Sequence, residues 1–252
     1  MSRRVVRLGA HRRDWEDLAS VDLYWSILSD PAKQHGGWVQ QDYLDSGVAE
    51  VDARLARATE LGHRLANRDA LDFGCGAGRL TRALASRFER AVGIDIAAPM
   101  IAAAQRLCMD LENCRFVLND EPDLRVFDDT SFDLVFTTIV LQHLPNRAAI
   151  RAYLREFVRV TRPGGLIVFQ LPSDIPIRHR LQLRRRVYRL LRGVGVPVST
   201  LYRTLGLQPI RMQFMPKTEV VSLLENCGAR ALAIDETPVG GIVSAVYYVT
   251  RP

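Results

Sequence analysis

Residues 71–81 of this 252-residue chain read LDFGCGAGRLT. A short apolar run ends in glycines at alternate positions, Gly74, Gly76 and Gly78, and a helix-like segment follows. A strand, a glycine turn and a helix N-terminus together bring bare backbone N–H groups close to a ligand. A dinucleotide fingerprint would place its third glycine one position later, where Arg79 stands. The stretch therefore predicts a nucleotide site in an α/β fold and disfavours a nicotinamide-dependent oxidoreductase.

A second buried strand is predicted at residues 91–96, AVGIDI, which places Asp95 about 20 residues after Gly74. In doubly wound nucleotide-binding folds, an acidic side chain at this spacing accepts hydrogen bonds from the ribose hydroxyls. An apolar side chain could not accept them. The alternative interpretation is that Asp95 is an acidic residue in a solvated turn.

Three later segments continue the pattern along the chain. Residues 116–120, 131–144 and 159–169 read FVLND, SFDLVFTTIVLQHL and RVTRPGGLIVF. Together with the glycine turn and the strand that ends at Asp95, they cover about 70–171 of the sequence. In order and spacing, the set resembles the motifs of the class I S-adenosylmethionine-dependent methyltransferases.

The resemblance implies an α/β fold with a Rossmann-like, seven-stranded, mostly parallel sheet, helices on both faces and an antiparallel last strand. It implies S-adenosyl-L-methionine as the cofactor and no metal site. Residues at the positions of the family's motifs are expected to bind the cofactor: Asp72, Gly74, Cys75, Gly76, Gly78, Asp95, Ile96, Met100, Asn119, Asp120, Glu121 and Thr138. Among them, the resemblance places Asn119, Asp120 and Glu121 near the adenine.

Two segments outside the sheet are expected to cover the site. Residues 1–66 are predicted to form an N-terminal helical lid, and residues 67–252 the cofactor-binding domain, with a helical insertion at 172–215 before the sixth strand. In the family, such helices often fold over the cofactor, and this insertion commonly builds the acceptor site. The resemblance thus suggests that Trp38 of the lid contacts the substrate. The alternative is that the tryptophans only attach a helical layer to the core.

Composition restricts the class of protein. With 48% apolar and 25% charged residues, the sequence is typical of a globular protein. It contains no apolar run of the roughly 20 residues that span a bilayer, and no secretory signal is recognised. The four cysteines are scattered without a C-x-x-C pair, so we expect reduced thiols in a cytoplasmic protein.

The net charge of +6 is concentrated in the insertion, because residues 175–216 contain nine arginines and no acidic residue. A helix predicted at 177–192 has a rough apolar stripe, and a second helix is predicted at 198–206. The basic helix is open to three interpretations. In the first, its arginines form the solvated outer face of a helix that covers the acceptor site. In the second, they bind an anionic substrate or anionic lipid, and in the third they contact RNA phosphates. One basic helix is weak support for the binding of nucleic acid. The oligomeric state is not indicated.

The chemistry of methyl transfer requires an acceptor held in line with the methyl group and shielded from water. A general base helps when the acceptor is a hydroxyl or a protonated amine. His143 is the candidate base, with Gln142 beside it to orient the acceptor, and His35 is the alternative base. His143 could instead cap the next helix.

The sequence thus predicts methyl transfer to a small-molecule acceptor, with oxygen as the first choice of acceptor atom and nitrogen as the second. An RNA or protein methyltransferase and a non-catalytic S-adenosylmethionine-binding protein are the alternatives.

Overall fold

A computed structural model describes residues 8–252. At its centre lies a seven-stranded sheet with the order β3-β2-β1-β4-β5-β7-β6. The strands are β1 (Asp69–Phe73), β2 (Arg90–Asp95), β3 (Cys114–Leu118), β4 (Phe132–Thr137), β5 (Thr161–Asp174), β6 (Arg230–Val239) and β7 (Ile242–Thr250). In this sheet β1 to β5 pair in parallel, and β7 runs antiparallel to both of its neighbours, β5 and β6. The predicted Rossmann-like α/β sheet with an antiparallel last strand is confirmed.

Helices cover both faces of the sheet. The helices are α1 (Gly9–Val21), α2 (Leu23–Ile27), α3 (Gln40–Glu60), α4 (Arg79–Ala85), α5 (Ala98–Leu107), α6 (Arg147–Val160), α7 (Ile177–Leu181), α8 (Leu183–Gly193) and α9 (Lys217–Glu225). One apolar layer joins the sheet to α3 and α4 through Val51 and Leu84. A second joins the sheet to α6 and α9 through Phe157 and Leu224. The strands β1, β4 and β5 are therefore buried on both faces.

The predicted lid at residues 1–66 divides into two parts with different positions. The long helix α3 packs against α4, so closely that a Cβ added to Gly47 would lie 2.5 Å from the carbonyl oxygen of Arg79. Val51 and Ala58 of α3 are buried in this contact. The segment before α3 lies instead at the carboxyl ends of the strands, where a Cβ added to Gly76 would lie 2.7 Å from Cδ1 of Ile27. Residues 1–7 of the predicted lid lie outside the described residues.

The insertion differs from its predicted form. The single helix predicted at 177–192 is two helices, α7 and α8, separated by Gln182 in the left-handed region at φ +50°. The predicted helix at 198–206 is a short π-helical turn, Thr200–Thr204. Of the predicted apolar stripe of the first helix, Ile177, Leu181 and Val187 are exposed, whereas Tyr188 is buried and Leu191 is half-buried.

Candidate functional site

The glycine turn after β1 is held against the end of β2 by backbone hydrogen bonds. The amides of Gly74 and Cys75 both donate to the carbonyl oxygen of Ile94, at 2.8 and 3.0 Å. Gly74 has φ +74°, and a Cβ there would lie 2.5 Å from Cγ1 of Val140. Gly76 has φ +52°. Since both the conformation and the close approach exclude a side chain at Gly74, the turn presents bare backbone to the space above it.

Asp95 connects this turn to the loop after β2. Its Oδ2 accepts a hydrogen bond from the amide of Gly76 at 3.0 Å, and its Oδ1 accepts one from the amide of Ala97 at 2.9 Å. Burial raises the pKa of Asp95, and these backbone donors oppose that rise. The carboxylate therefore fixes two loops that meet at the carboxyl edge of the sheet, where ligands bind in open α/β folds.

A cavity opens at this edge. Its empty volume is about 910 Å³ when the open space at its mouth is included. Most of the residues predicted to bind the cofactor line it: Gly74, Cys75, Gly76, Asp95, Ile96, Met100, Asn119 and Thr138. The buried hydroxyl oxygen of Thr138 has no hydrogen-bond partner among residues 8–252. A polar ligand in the cavity would supply that partner.

Four predicted cofactor residues are not among those lining the cavity. Asp72 is buried behind the turn, where its Oδ2 accepts from the Thr81 hydroxyl at 2.6 Å and burial raises its pKa to about 7. Gly78 is the N-cap residue of α4. Asp120 and Glu121 are exposed. Asp72 and Gly78 therefore support the turn from behind.

Asp120 also belongs to the attachment of the N-terminal helix. Its carboxylate forms an ion pair of 2.7 Å with Arg12 of α1. The neighbouring Asn119 holds the same loop in shape, because its amide nitrogen donates to the carbonyl oxygen of Asp123 at 2.7 Å. The loop that follows β3 therefore contacts the cavity through Asn119 and α1 through Asp120.

The roof of the cavity is α1, which carries Leu8 at its start, His11 and Trp15 toward the lining. His11 and Trp15 are four residues apart, so they lie on the same side of the helix. His11 was not predicted from the sequence, although its spacing of four residues from Trp15 could have indicated that both face the same side of a helix. The predicted substrate residue Trp38 is outside the lining, and its indole N–H donates to the carbonyl oxygen of Leu28 at 3.1 Å.

Ion pairs fasten α1 to the basic insertion. Asp14 pairs with Arg185 at 2.9 Å and with Arg211 at 3.4 Å. Asp17 pairs with Arg192 at 3.2 Å and accepts a hydrogen bond from the Tyr188 hydroxyl at 3.1 Å. Arg185 and Arg192 therefore lie on the side of α8 that faces the acidic side chains of α1. The same contacts turn Tyr188 of the predicted apolar stripe inward and leave Val187 exposed.

A small second cavity adjoins the first and contains the predicted base. His143 lines it together with His11, Trp15 and Arg211, and the Trp15 and His143 rings meet edge to face at 5.7 Å. Trp15 and His11 line both cavities, whereas His143 and Gln142 are not part of the larger lining. His35, the alternative base, lies outside both and contacts the ring of Tyr202.

The hydrogen bonds of His143 determine its tautomer. Its Nδ1 donates to the carbonyl oxygen of Arg211 at 2.6 Å, since a carbonyl can only accept. Its Nε2 then accepts from the side-chain amide of Gln142 at 3.2 Å. Gln142 in turn accepts from Gln170 at 3.1 Å, and Gln170 also donates to Ser244 at 2.8 Å. His143 is thus a neutral imidazole whose two nitrogens are both engaged.

His11 differs from His143 in this respect. Its ring makes no hydrogen bond within residues 8–252, and it lines the larger cavity. Burial, together with the positive charge of Arg211, lowers the pKa of His11 to about 3. Burial likewise lowers the pKa of His143 to about 4, against the opposing effect of its hydrogen bond to Arg211. Both rings are therefore uncharged at neutral pH.

Acid is expected to destabilise the fold through these two histidines. In the unfolded chain each would bind a proton with a pKa of about 6.5. Their contribution to stability is therefore complete above about pH 6.5 and is lost as the pH falls towards the folded-state pKa of about 4 for His143. We expect His143 alone to lower the free energy of unfolding by about 2 kcal/mol between about pH 7 and about pH 5.

Urea unfolding of the wild type and of His143→Gln at both pH values measures this loss. The variant should lose less stability than the wild type over the same interval. Equal losses in the two proteins would contradict a buried, uncharged His143.

Residues 8–252 contain no group of three or more His, Cys, Asp or Glu side chains arranged to hold a metal ion. All four cysteines are free thiols. Within the same range, every helix is too short or too polar to cross a membrane.

Comparison with known proteins agrees with this architecture. Residues 71–169 match the family described as "Methyltransferase domain". The trans-aconitate 2-methyltransferase of Deinococcus radiodurans is 37% identical over 128 residues, which are 49% of this chain and 46% of that protein. The demethylmenaquinone methyltransferase of Tropheryma whipplei strain Twist is 30% identical over 168 residues, which are 65% of this chain and 66% of that protein. The chain thus spans about half to two thirds of the length of these curated relatives.

Solved structures show the same fold over nearly the whole chain. The magnesium protoporphyrin IX methyltransferase of Synechocystis PCC 6803, crystallised with bound SAH, superposes with a TM-score of 0.61 at 18% identity. The match covers 96% of this chain and 99% of that one. A protein of Pyrococcus horikoshii matches with a TM-score of 0.59 at 20% identity, over 91% and 98% of the two chains.

Proposed function

We propose that this chain, which belongs to the class I S-adenosylmethionine-dependent methyltransferase superfamily, binds S-adenosylmethionine and transfers its methyl group to an oxygen atom of a small-molecule acceptor. The observation that carries the proposal is the position of Asp95 and the turn Gly74–Gly76 on one wall of a cavity roofed by α1. A carboxylate and bare backbone are the groups that a ribose and a charged amino-acid tail require.

The residues of the cavity fit this cofactor in chemical type. Asp95 offers carboxylate oxygens for the ribose hydroxyls, and Thr138 offers a buried hydroxyl that has no protein partner within residues 8–252. Ile96 and Met100 supply apolar surface for an adenine ring, next to the polar Asn119. Binding by the other predicted cofactor residues, which are outside the lining, stays a prediction.

The proposed acceptor site lies between α1 and the segment that follows β4. Trp15 and His11 face the cavity from α1, opposite Val140 and Leu144. These mostly apolar walls suit a small organic acceptor and exclude water from it. The bound cofactor supplies a methyl group that its sulfonium has already activated. The protein therefore needs to orient the acceptor and to remove its proton.

We assign the proton transfer to His11, because it reaches the larger cavity with an uncharged ring that has no hydrogen-bond partner within residues 8–252. His143, the base predicted from the sequence, lies behind Trp15 with both nitrogens engaged. In this proposal His143 joins the segment after β4 to the insertion through Arg211, and so positions the acceptor wall. A role of Gln142 in orienting the acceptor stays a prediction.

Calorimetry with S-adenosylmethionine, S-adenosylhomocysteine and NAD tests the cofactor. We expect both sulfur compounds to bind and NAD to bind at least tenfold more weakly, because Arg79 stands where the dinucleotide turn requires glycine. Binding of NAD without the sulfur compounds would overturn the proposal.

A labelled-methyl assay tests the acceptor class. The enzyme is incubated with radiolabelled S-adenosylmethionine and a cell extract, which is then separated into small-molecule, RNA and protein fractions. Label in the small-molecule fraction is expected. Label that is found instead in RNA or protein would overturn the choice of acceptor while leaving the cofactor assignment intact.

A further inference from the structure

The outer side of α8 is exposed and apolar. Three residues of α8 and Val194 directly after it form a stripe at positions i, i+4, i+7 and i+11, which lie on one side of a helix: Leu183, Val187, Leu190 and Val194. Their exposed fractions are 59%, 45%, 69% and 74%. We call these four residues the outer stripe. A contiguous apolar surface of this kind indicates an interaction site, whereas single exposed apolar residues do not.

The orientation of α8 is fixed by its other side. Arg185, Tyr188 and Arg192, at positions i, i+3 and i+7, contact Asp14 and Asp17 of α1. These positions lie opposite the outer stripe on the helix. The ion pairs and the hydrogen bond therefore hold the outer stripe toward solvent, and burying it against the domain would require breaking them.

The surroundings of the outer stripe are strongly basic. Of the nine arginines in residues 175–216, four form ion pairs: Arg180, Arg185, Arg192 and Arg211. The other five have no carboxylate partner within residues 8–252: Arg178, Arg184, Arg186, Arg189 and Arg203. Arg186 and Arg189 are exposed beside the outer stripe on α8 itself. The segment has no acidic residue that would neutralise them.

We infer that α8 is a docking surface for an anionic lipid bilayer, on which the helix lies flat with the outer stripe among the acyl chains. An apolar stripe beside unpaired arginines is complementary to an interface that is apolar inside and negatively charged outside. At about 16 Å the helix is too short to span a bilayer, so it lies in the plane of the interface.

Other partners fit the surface less well. A second copy of the chain would bring one arginine-rich face against another, and like charges oppose that contact. Nucleic acid would neutralise the arginines but would leave the leucines of the outer stripe without an apolar partner. The inference goes beyond methyl transfer, and it is tested by lipid binding alone.

Co-sedimentation of the full chain with vesicles tests the inference. We expect binding to vesicles of phosphatidylcholine mixed with phosphatidylglycerol, and at least tenfold weaker binding to phosphatidylcholine alone or at high salt. The variant Leu183→Ser/Leu190→Ser should bind the mixed vesicles at least tenfold more weakly, since two exposed leucines lose their place among the acyl chains.

The matched control replaces exposed apolar residues elsewhere, Met109→Ser/Val126→Ser, and should bind as the wild type does. A second variant, Arg186→Gln/Arg189→Gln, should lose binding to the mixed vesicles while keeping its weak binding to phosphatidylcholine.

Three results would overturn the inference. The first is a wild type that does not bind mixed vesicles at low salt. The second is equal binding by the wild type and the leucine variant. The third is a wild-type dimer in light scattering that the leucine variant converts to monomer, because the outer stripe would then be an interface between two copies.

Discussion

His11→Gln is expected to lower kcat for the acceptor found in the labelled-methyl assay by about a hundredfold. General bases typically contribute about 10²- to 10⁴-fold, and a base whose pKa lies far below the working pH falls at the lower end. Burial lowers the pKa of His11 to about 3, so the smaller figure applies. S-adenosylmethionine binding should change little, because the loss affects proton removal from the acceptor. Steady-state kinetics and calorimetry on the same preparation measure the two effects.

His143→Gln is the matched comparison for His11→Gln. Its ring is as well buried and as uncharged, but both of its nitrogens are engaged by Gln142 and Arg211. We expect less than a tenfold fall in kcat, with a rise in KM as the acceptor wall loosens. The reverse order, with the large fall in His143→Gln, would assign the base to His143 as the sequence predicted.

The parts of the site that could be predicted from the sequence are those determined by local chain geometry. The turn at Gly74–Gly78 directly follows β1, and Asp95 is the last residue of β2. Parallel pairing of β1 with β2 brings their carboxyl ends together, so the two motifs must meet at one edge. Strand order and the antiparallel β7 then follow from the family resemblance.

The roof could not be predicted in the same way, because it is built by contacts between distant segments. Asp14 of α1 meets Arg185 and Arg211, about 170 and 200 residues further along the chain. The sequence alone does not show these partners. In it, the arginines of the insertion suggest a solvent-exposed helix face, and its apolar residues suggest a buried one. The pairing with α1 turns Arg185 and Arg211 toward the domain and leaves Leu183 and Leu190 exposed. The same roof places His11 and Trp15, rather than Trp38, over the cavity.

Asp95→Ala is expected to weaken S-adenosylmethionine binding by about 1–3 kcal/mol, or roughly 5- to 150-fold in Kd. The side chain lies on the cavity wall, and its oxygens also hold the amides of Gly76 and Ala97 at 3.0 and 2.9 Å. Its removal therefore deletes a partner for the ribose and frees two loops that shape the same wall. Calorimetric titration of the wild type and the variant measures the change in Kd.

Two comparisons separate these contributions. Asp110→Ala removes an aspartate that pairs with Arg82 away from the cavity, and its Kd should equal that of the wild type. Asp95→Asn keeps an oxygen that accepts a hydrogen bond from one amide but removes the charge. Its Kd for S-adenosylmethionine should therefore lie between those of Asp95→Ala and the wild type. An unchanged Kd in Asp95→Ala would mean that the ribose binds elsewhere. If the loss of binding free energy in each variant only matches its loss of unfolding free energy without ligand, Asp95 acts solely by holding the turn.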